Sequence, residues 1–219
     1  MAREELTRRP LRSRQRQWAV VAARKLAGIP VHPNHISIAS MGAAALAAAA
    51  LLLAAHGGPL PPAALYGAAA LLIQLRLLCN LLDGMVAVEG GLGTKSGEIY
   101  NDLPDRISDA MILIAAGYSI SWPSCGPALG WSAALAAIMT AYVRVLGGAC
   151  GLRQEFRGPM AKPHRMAVLT AACVLSAGES ALGLDHRAIA AALIVIIAGS
   201  AATAWRRMRR IVNQLEQGA

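Results

Sequence analysis

The sequence predicts an all-α integral membrane protein with six transmembrane helices, preceded by an amphipathic helix lying in the headgroup layer. Three observations point to that class. The chain is 56% hydrophobic with a single Phe, and its mean hydropathy is +0.46, high for a water-soluble domain. Apolar runs near residues 36–55, 62–83, 106–122, 128–149, 166–183 and 187–205 approach the roughly 20 residues that cross a bilayer's hydrocarbon. Basic residues gather at one side of those runs, so an even number of spans and a one-sided charge bias agree with each other.

The first element, residues 1–34, is a basic segment with eight Lys or Arg ahead of His35. Within it, "LTRRPLRSRQRQWAVVAARKLA" mixes Arg with Trp18, Val20, Val21 and Leu26, as in a helix that buries one face and turns its cations to lipid phosphates. The long basic region and the full-length first apolar run argue against a cleaved signal peptide. The six-helix bundle follows over 35–205. Spans one and two are joined by "HGGPLPP", three and four by "WPSCGP", five and six by "LGLDH", all short, turn-forming and nearly uncharged. The opposite side carries Lys95, Arg106, Arg153, Arg157, Lys162 and Arg165, then Arg206, Arg207, Arg209 and Arg210 in a tail over 206–219. The positive-inside rule sets that side, and both termini, in the cytoplasm. Residues 1–219 thus read as one domain. Anionic membrane lipids are the expected partners of the net charge of +9. Nucleic acid is not, because neither aromatic interleaving nor a zinc-ligand spacing accompanies the cations. Cys79, Cys125, Cys150 and Cys173 stand far apart in or beside apolar runs and read as small core residues, not as disulfides or metal ligands.

Acidic residues are placed unevenly. Six of the twelve fall between Asp83 and Asp109, although charge at membrane depth is costly and normally faces a bundle interior. On helices, Asn80 and Asp83 are three apart, and Asn101, Asp105 and Asp109 successively four apart, so each set projects from one face. Asp and Asn oxygens without thiolates select hard divalent ions such as Mg²⁺ or Mn²⁺, which commonly bridge carboxylates and substrate phosphates. The glycines Gly84, Gly90, Gly91, Gly93 and Gly97 between the two sets let backbone approach a ligand. Taken singly, these residues would serve as helix caps and turn residues; their combined spacing favours a site.

The segment resembles the signature of the CDP-alcohol phosphatidyltransferase family, D-x2-D-G-x2-A-R-x8-G-x3-D-x3-D. Asp83, Gly84, Ala87, Gly97 and Asp105 match at the family's spacing, while Asn80, Val88 and Asn101 stand where Asp, Arg and Asp are expected. "HPNHIS" at 32–37 is similar to the stretch before the family's first span. The resemblance implies an enzyme that displaces CMP from a CDP-linked lipid, such as CDP-diacylglycerol, by the hydroxyl of an alcohol or phosphorylated alcohol. It also implies Mg²⁺ or Mn²⁺ on the diphosphate and a bacterial inner membrane as the location. Carried over, Asp83 is a metal ligand, Asp105 a ligand and the base that takes the hydroxyl proton, and Asn80 and Asn101 neutral oxygen ligands. Asn34, Asp83, Gly84, Ala87 and Gly97 are the nucleotide-binding candidates.

Two Asn in place of Asp remove two negative charges from a site for two dications. Three outcomes are open: one metal, recruitment of Asp102, Asp109 or Glu98, or no activity. Recruitment of Asp102 and Asp109 is the expectation, with Arg76 standing in for the Arg replaced by Val88. A second, basic cluster in "RQEFRGPMAKPHRM", namely Arg157, Lys162, His164 and Arg165, together with Arg144 inside the fourth span, is expected to hold the phosphate of an acceptor. Ordinary positive-inside loop charge is the competing explanation. The alternative function is a relative that has lost turnover and acts as a lipid- or nucleotide-binding membrane protein or transporter. A channel is disfavoured because the charges cluster at one membrane face, and a homodimer is compatible with the sequence.

Overall fold

The computed structural model describes residues 33–89, 96–120, 124–184 and 187–217. The expected interfacial helix over residues 6–27 lies outside them, as does Lys95. Among the described residues the chain is all-helical: α1 (Pro33–His56), α2 (Pro62–Glu89), α3 (Gly97–Tyr118), α4 (Gly126–Ala149), α5 (Lys162–Ala181) and α6 (Arg187–Gln217). They close a ring in which α1 packs on α2 and α3, α2 on α5, α5 on α6, α6 on α4, and α4 back on α3.

Each wall of the ring is set by a stripe at three- and four-residue spacing. On α1 the stripe is Ala44, Ala47, Leu51 and Ala54; on α2 it is Tyr66, Ala69 and Ile73, all buried. Alanine predominates because, in lipid, helices associate through close packing and not through water exclusion. Glycine carries this furthest between α3 and α4. A Cβ built on Gly117 would lie 2.6 Å from the Cα of Gly130, and one on Gly130 would lie 2.9 Å from the carbonyl of Leu113, so the two backbones touch.

α1, α2, α4 and α6 are long and apolar enough to cross a membrane. α3 and α5 fall short of that measure because their basic-side ends carry charge. The same charge explains where the expected boundaries were short. Hydropathy ends where lipid exposure ends, whereas helical hydrogen bonding continues into the charged turns. Thus α2 runs past 83 to Glu89, α3 begins at Gly97 instead of 106, α5 at Lys162 instead of 166, and α6 continues through the expected tail to Gln217. Of the cysteines, all free, only Cys173 is buried, while Cys125 and Cys150 cap the two ends of α4 and are exposed.

The α3–α4 contact yields a stability expectation. Gly130→Val should lower the melting temperature in detergent by several degrees, in keeping with about 1–3 kcal/mol for overpacking. Gly42→Ala, where an added Cβ meets nothing within 4 Å, should leave it unchanged or slightly raised.

Candidate functional site

At the basic end of the ring the core stripes change from apolar to charged without leaving their faces. Ile73 on α2 is followed by Arg76, Asn80 and Asp83; on α3, Ile112 is preceded by Asp109, Asp105 and Asn101; on α5, Leu169 is preceded by Arg165 and Lys162. The helices therefore deliver ionic groups to the position where apolar side chains meet one turn deeper.

Asp109 is the innermost of them. Arg76 Nη2 lies 2.9 Å from its Oδ1 and Arg165 Nη2 lies 3.2 Å from its Oδ2, with all three side chains essentially inaccessible. Arg165 Nη1 also donates to Thr140 Oγ1 at 3.1 Å and to the Met160 carbonyl at 3.0 Å. One turn outward, Asp105 accepts at Oδ1 from Asn80 Nδ2 at 2.5 Å and from Arg76 Nη2 at 3.2 Å, and Lys162 Nζ pairs with its Oδ2. Asp83 is buried on α2, where its Oδ2 accepts from Ser37 Oγ of α1 at 2.6 Å; its Oδ1 has no partner.

Asp102, expected as a metal ligand, is paired with two arginines. Its Oδ1 receives Arg106 Nη2 and Arg144 Nη2, both at 2.6 Å. Burial alone would raise the Asp102 pKa, but these two guanidiniums outweigh it and hold the carboxyl below the usual range. Arg144, which as an intramembrane cation required a partner, has Asp102 on one side and the Phe156 ring 5.3 Å away on the other. Glu179, at the far end of α5, instead receives Ser176 Oγ at 3.1 Å and the Ala188 N–H that opens α6.

These groups border a cavity of about 430 Å³. Its lining includes Asn80, Asn101, Asp102 and Asp105, the cations Arg106, Arg144, Lys162, Arg165 and Arg207, and an apolar side formed by Leu77, Leu78 and Leu81 of α2. The loop after α4 forms one wall because α6 holds it. Arg207 donates to the carbonyls of Arg157, Thr140 and Phe156 at 3.0, 2.7 and 3.2 Å, and Thr203 Oγ1 accepts the Met160 N–H at 2.9 Å. Gly158 is required there. Its φ is +148°, and a Cβ would lie 2.3 Å from Thr203 Cγ2.

Several expected site residues are not brought together. Asp83 and Asp109 lie outside the cavity lining, and so do Asn34, Gly84, Ala87, Gly97, Arg157 and His164; the last two are exposed side chains. The Glu98 side chain is outside the described residues. Arg76 is fully buried against Asp105 and Asp109, so it does not replace a nucleotide-facing Arg at Val88. Arg106 and Arg207, which in the sequence read as ordinary inside charges, and Thr140 and Phe156, to which the sequence assigns no role, all line the cavity; a cation four positions after Asp102 on a helix is the one sequence signal for Arg106.

The divalent pair implied by the sequence resemblance fits this donor set poorly. Among the described residues no three acidic, His or Cys side chains converge as a metal site. Both oxygens of Asp105 already face nitrogen donors. Asn80 turns its amide N–H, not its oxygen, toward Asp105, and the reverse orientation would set two acceptor oxygens 2.5 Å apart.

The chain is similar to phosphatidylinositol phosphate synthases, and it spans a little under two thirds of the length of the curated relative it matches. It is 30% identical over 144 residues to the phosphatidylinositol phosphate synthase of Corynebacterium glutamicum, a match covering 64% of this chain and 63% of that protein. The fold is that of the Mycobacterium tuberculosis enzyme PgsA1. Its structure with CDP-DAG bound superposes with a TM-score of 0.71 at 21% identity, over 88% of this chain and 92% of that one. Its structure in complex with manganese and citrate gives 0.73 at 19%, over 88% of each. No family model matches the chain.

The buried triad gives the second stability expectation. Asp109→Asn leaves Arg76 and Arg165 without their counter-charge and should cost about 3–5 kcal/mol, read as loss of folded protein on heating in detergent. Arg153→Ala, which removes an exposed loop cation, should leave the same melting curve unchanged.

Proposed function

We propose that this chain is an integral membrane transferase, with all six helices crossing the bilayer and its basic end cytoplasmic. It takes a CDP-linked lipid such as CDP-diacylglycerol and passes the phosphatidyl, or another substituted phosphate, group to an alcohol or phosphorylated alcohol. The cavity's composition carries the reading: five cations against two carboxylates at the basic end of the bundle, beside an apolar α2 surface on which Leu78 is exposed to the lipid side. A diphosphate meets the cations while its acyl chains stay in hydrocarbon. Homology to a synthase whose M. tuberculosis counterpart binds CDP-DAG supports the donor class.

The cations divide by how their donors are used. Arg165 and Arg207 are committed to protein oxygens and shape the wall. Arg106, Arg144 and Lys162 have carboxylates as their polar partners among the described residues and are the groups that bind phosphate oxygens. The acceptor hydroxyl oxygen forms a bond to the phosphorus that bears the lipid, the bond from that phosphorus to the CMP oxygen breaks, and Asp105 takes the hydroxyl proton. Arg76 and Asn80 fix Asp105 at the cavity wall for that role.

A second reading, ligand binding without turnover, is favoured by Asn80 and Asn101 at positions where the family signature has Asp. One assay separates the two. Purified protein is given CDP-diacylglycerol with a panel of alcohols and phosphorylated alcohols, and CMP release is followed. Turnover is expected with one acceptor class, and Asp105→Asn should lower it by about 100-fold or more. Binding of the donor with no CMP release from any acceptor would establish the second reading instead.

A further inference from the structure

We infer that Lys162 and Arg76 occupy, as fixed side-chain cations, the place that divalent ions would take around Asp105, so that the site holds its phosphate-bearing ligand without taking up a metal. The inference rests on the cavity being the seat of a CDP-linked lipid and specifies how its charge is met.

Charge balance is the first argument. Four carboxylates and two dications sum to zero. Here the positions of that quartet hold Asp83 and Asp105 with two neutral amides, and two cations, Arg76 and Lys162, face Asp105. That set also sums to zero, with no ion added. A dication placed in it would sit beside a buried guanidinium and an ammonium, where the low dielectric makes like charges strongly repulsive.

Donor direction is the second. Two carboxylates at positions 80 and 105 would repel each other and require a cation between them. With Asn80, the same two positions form a hydrogen bond of 2.5 Å in which the amide donates. Asp105 Oδ1 is thus satisfied internally, its lone pairs directed at the hydrogens of Asn80 and Arg76. Lys162 closes the other oxygen of Asp105. Buried without a partner is Asp83 Oδ1, on a residue outside the cavity lining, and Asn80 and Asn101 can add only neutral amide oxygens, whereas Mg²⁺ or Mn²⁺ needs about six oxygens in near-octahedral array.

The ligand side agrees. Five cations line the cavity with two carboxylates, an excess that suits a diphosphate directly and would repel a metal entering ahead of it.

The test uses the whole protein in nanodiscs after EDTA treatment. Manganese is titrated in and its free-ion EPR signal followed; separately, CDP-diacylglycerol binding is measured by calorimetry with EDTA and with Mg²⁺. The wild-type protein should leave the manganese signal undiminished, and the lipid's affinity should agree within about twofold in the two buffers. Lys162→Met should weaken lipid binding by about tenfold in EDTA, and adding Asn80→Asp and Asn101→Asp to it should produce manganese uptake. Stoichiometric uptake of manganese by the wild-type chain, or lipid binding that collapses in EDTA and returns with Mg²⁺, would overturn the inference. Lipid that binds in neither buffer overturns the reading of the cavity itself, a result distinct from metal uptake.

Discussion

The buried pairing of Asp109 with Arg76 and Arg165 is the interaction on which the basic end depends. α2 and α3 share little packed surface along their lengths, so their registry at this end is set by side chains reaching across the gap. Asp109 of α3 meets Arg76 of α2 and Arg165 of α5, and Arg165 continues to Thr140 of α4 and the Met160 carbonyl. Four helices are fixed to one charge centre. Well-packed apolar side chains could fill the same volume at equal or better stability. They would not determine the height of α3 against α2, and that height sets Asp105, one turn outward, opposite Asn80 and Lys162.

Asp102 extends the same logic to the cavity. Two guanidiniums converge on one of its oxygens, and Arg144 is steadied further by the Phe156 ring. A carboxylate used this way orders cations whose long side chains would otherwise lose much rotamer freedom on meeting a ligand. The residue expected as a metal ligand is the one that orders two of the cations lining the cavity.

The six helices were legible in the sequence because a lipid-facing helix must be apolar along its full span and must turn over in short loops, and all six apolar runs correspond to helices; the order in which they close a ring was not. Boundaries at the basic end were less legible, since a hydropathy window ends at the first charges while the backbone continues to hydrogen-bond past them. The site was partly readable. Spacing placed Asn80 and Asp105 on faces that do meet, and the need of Arg144 for a partner was answered by Asp102. Pairing was not readable. Whether Asp102 faces a metal or an arginine depends on where α4 sits relative to α3, a close approach set by Gly117 and Gly130 some turns away. Nor could Arg207 be told apart from Arg206 and Arg209 in a run of tail cations; only the rotation of α6 makes it the one that reaches three carbonyls.

The two kinds of cation at the cavity therefore differ in what they can contribute. Carbonyl oxygens are neutral dipoles, so Arg207, held by three of them, keeps most of its positive field and supplies potential without moving, while Arg165 is locked in the wall by Asp109, Thr140 and the Met160 carbonyl. Arg106, Arg144 and Lys162 are held by carboxylates, whose charge offsets their own until a phosphate oxygen competes for the same nitrogen. A diphosphate carries more charge than one carboxylate and presents several oxygens, so it can draw these nitrogens while Arg165 and Arg207 keep the walls in place. Rigidity and responsiveness are thus assigned to different residues: Arg165 and Arg207 are each held by several protein oxygens, whereas the carboxylates that hold Arg106, Arg144 and Lys162 border the cavity itself.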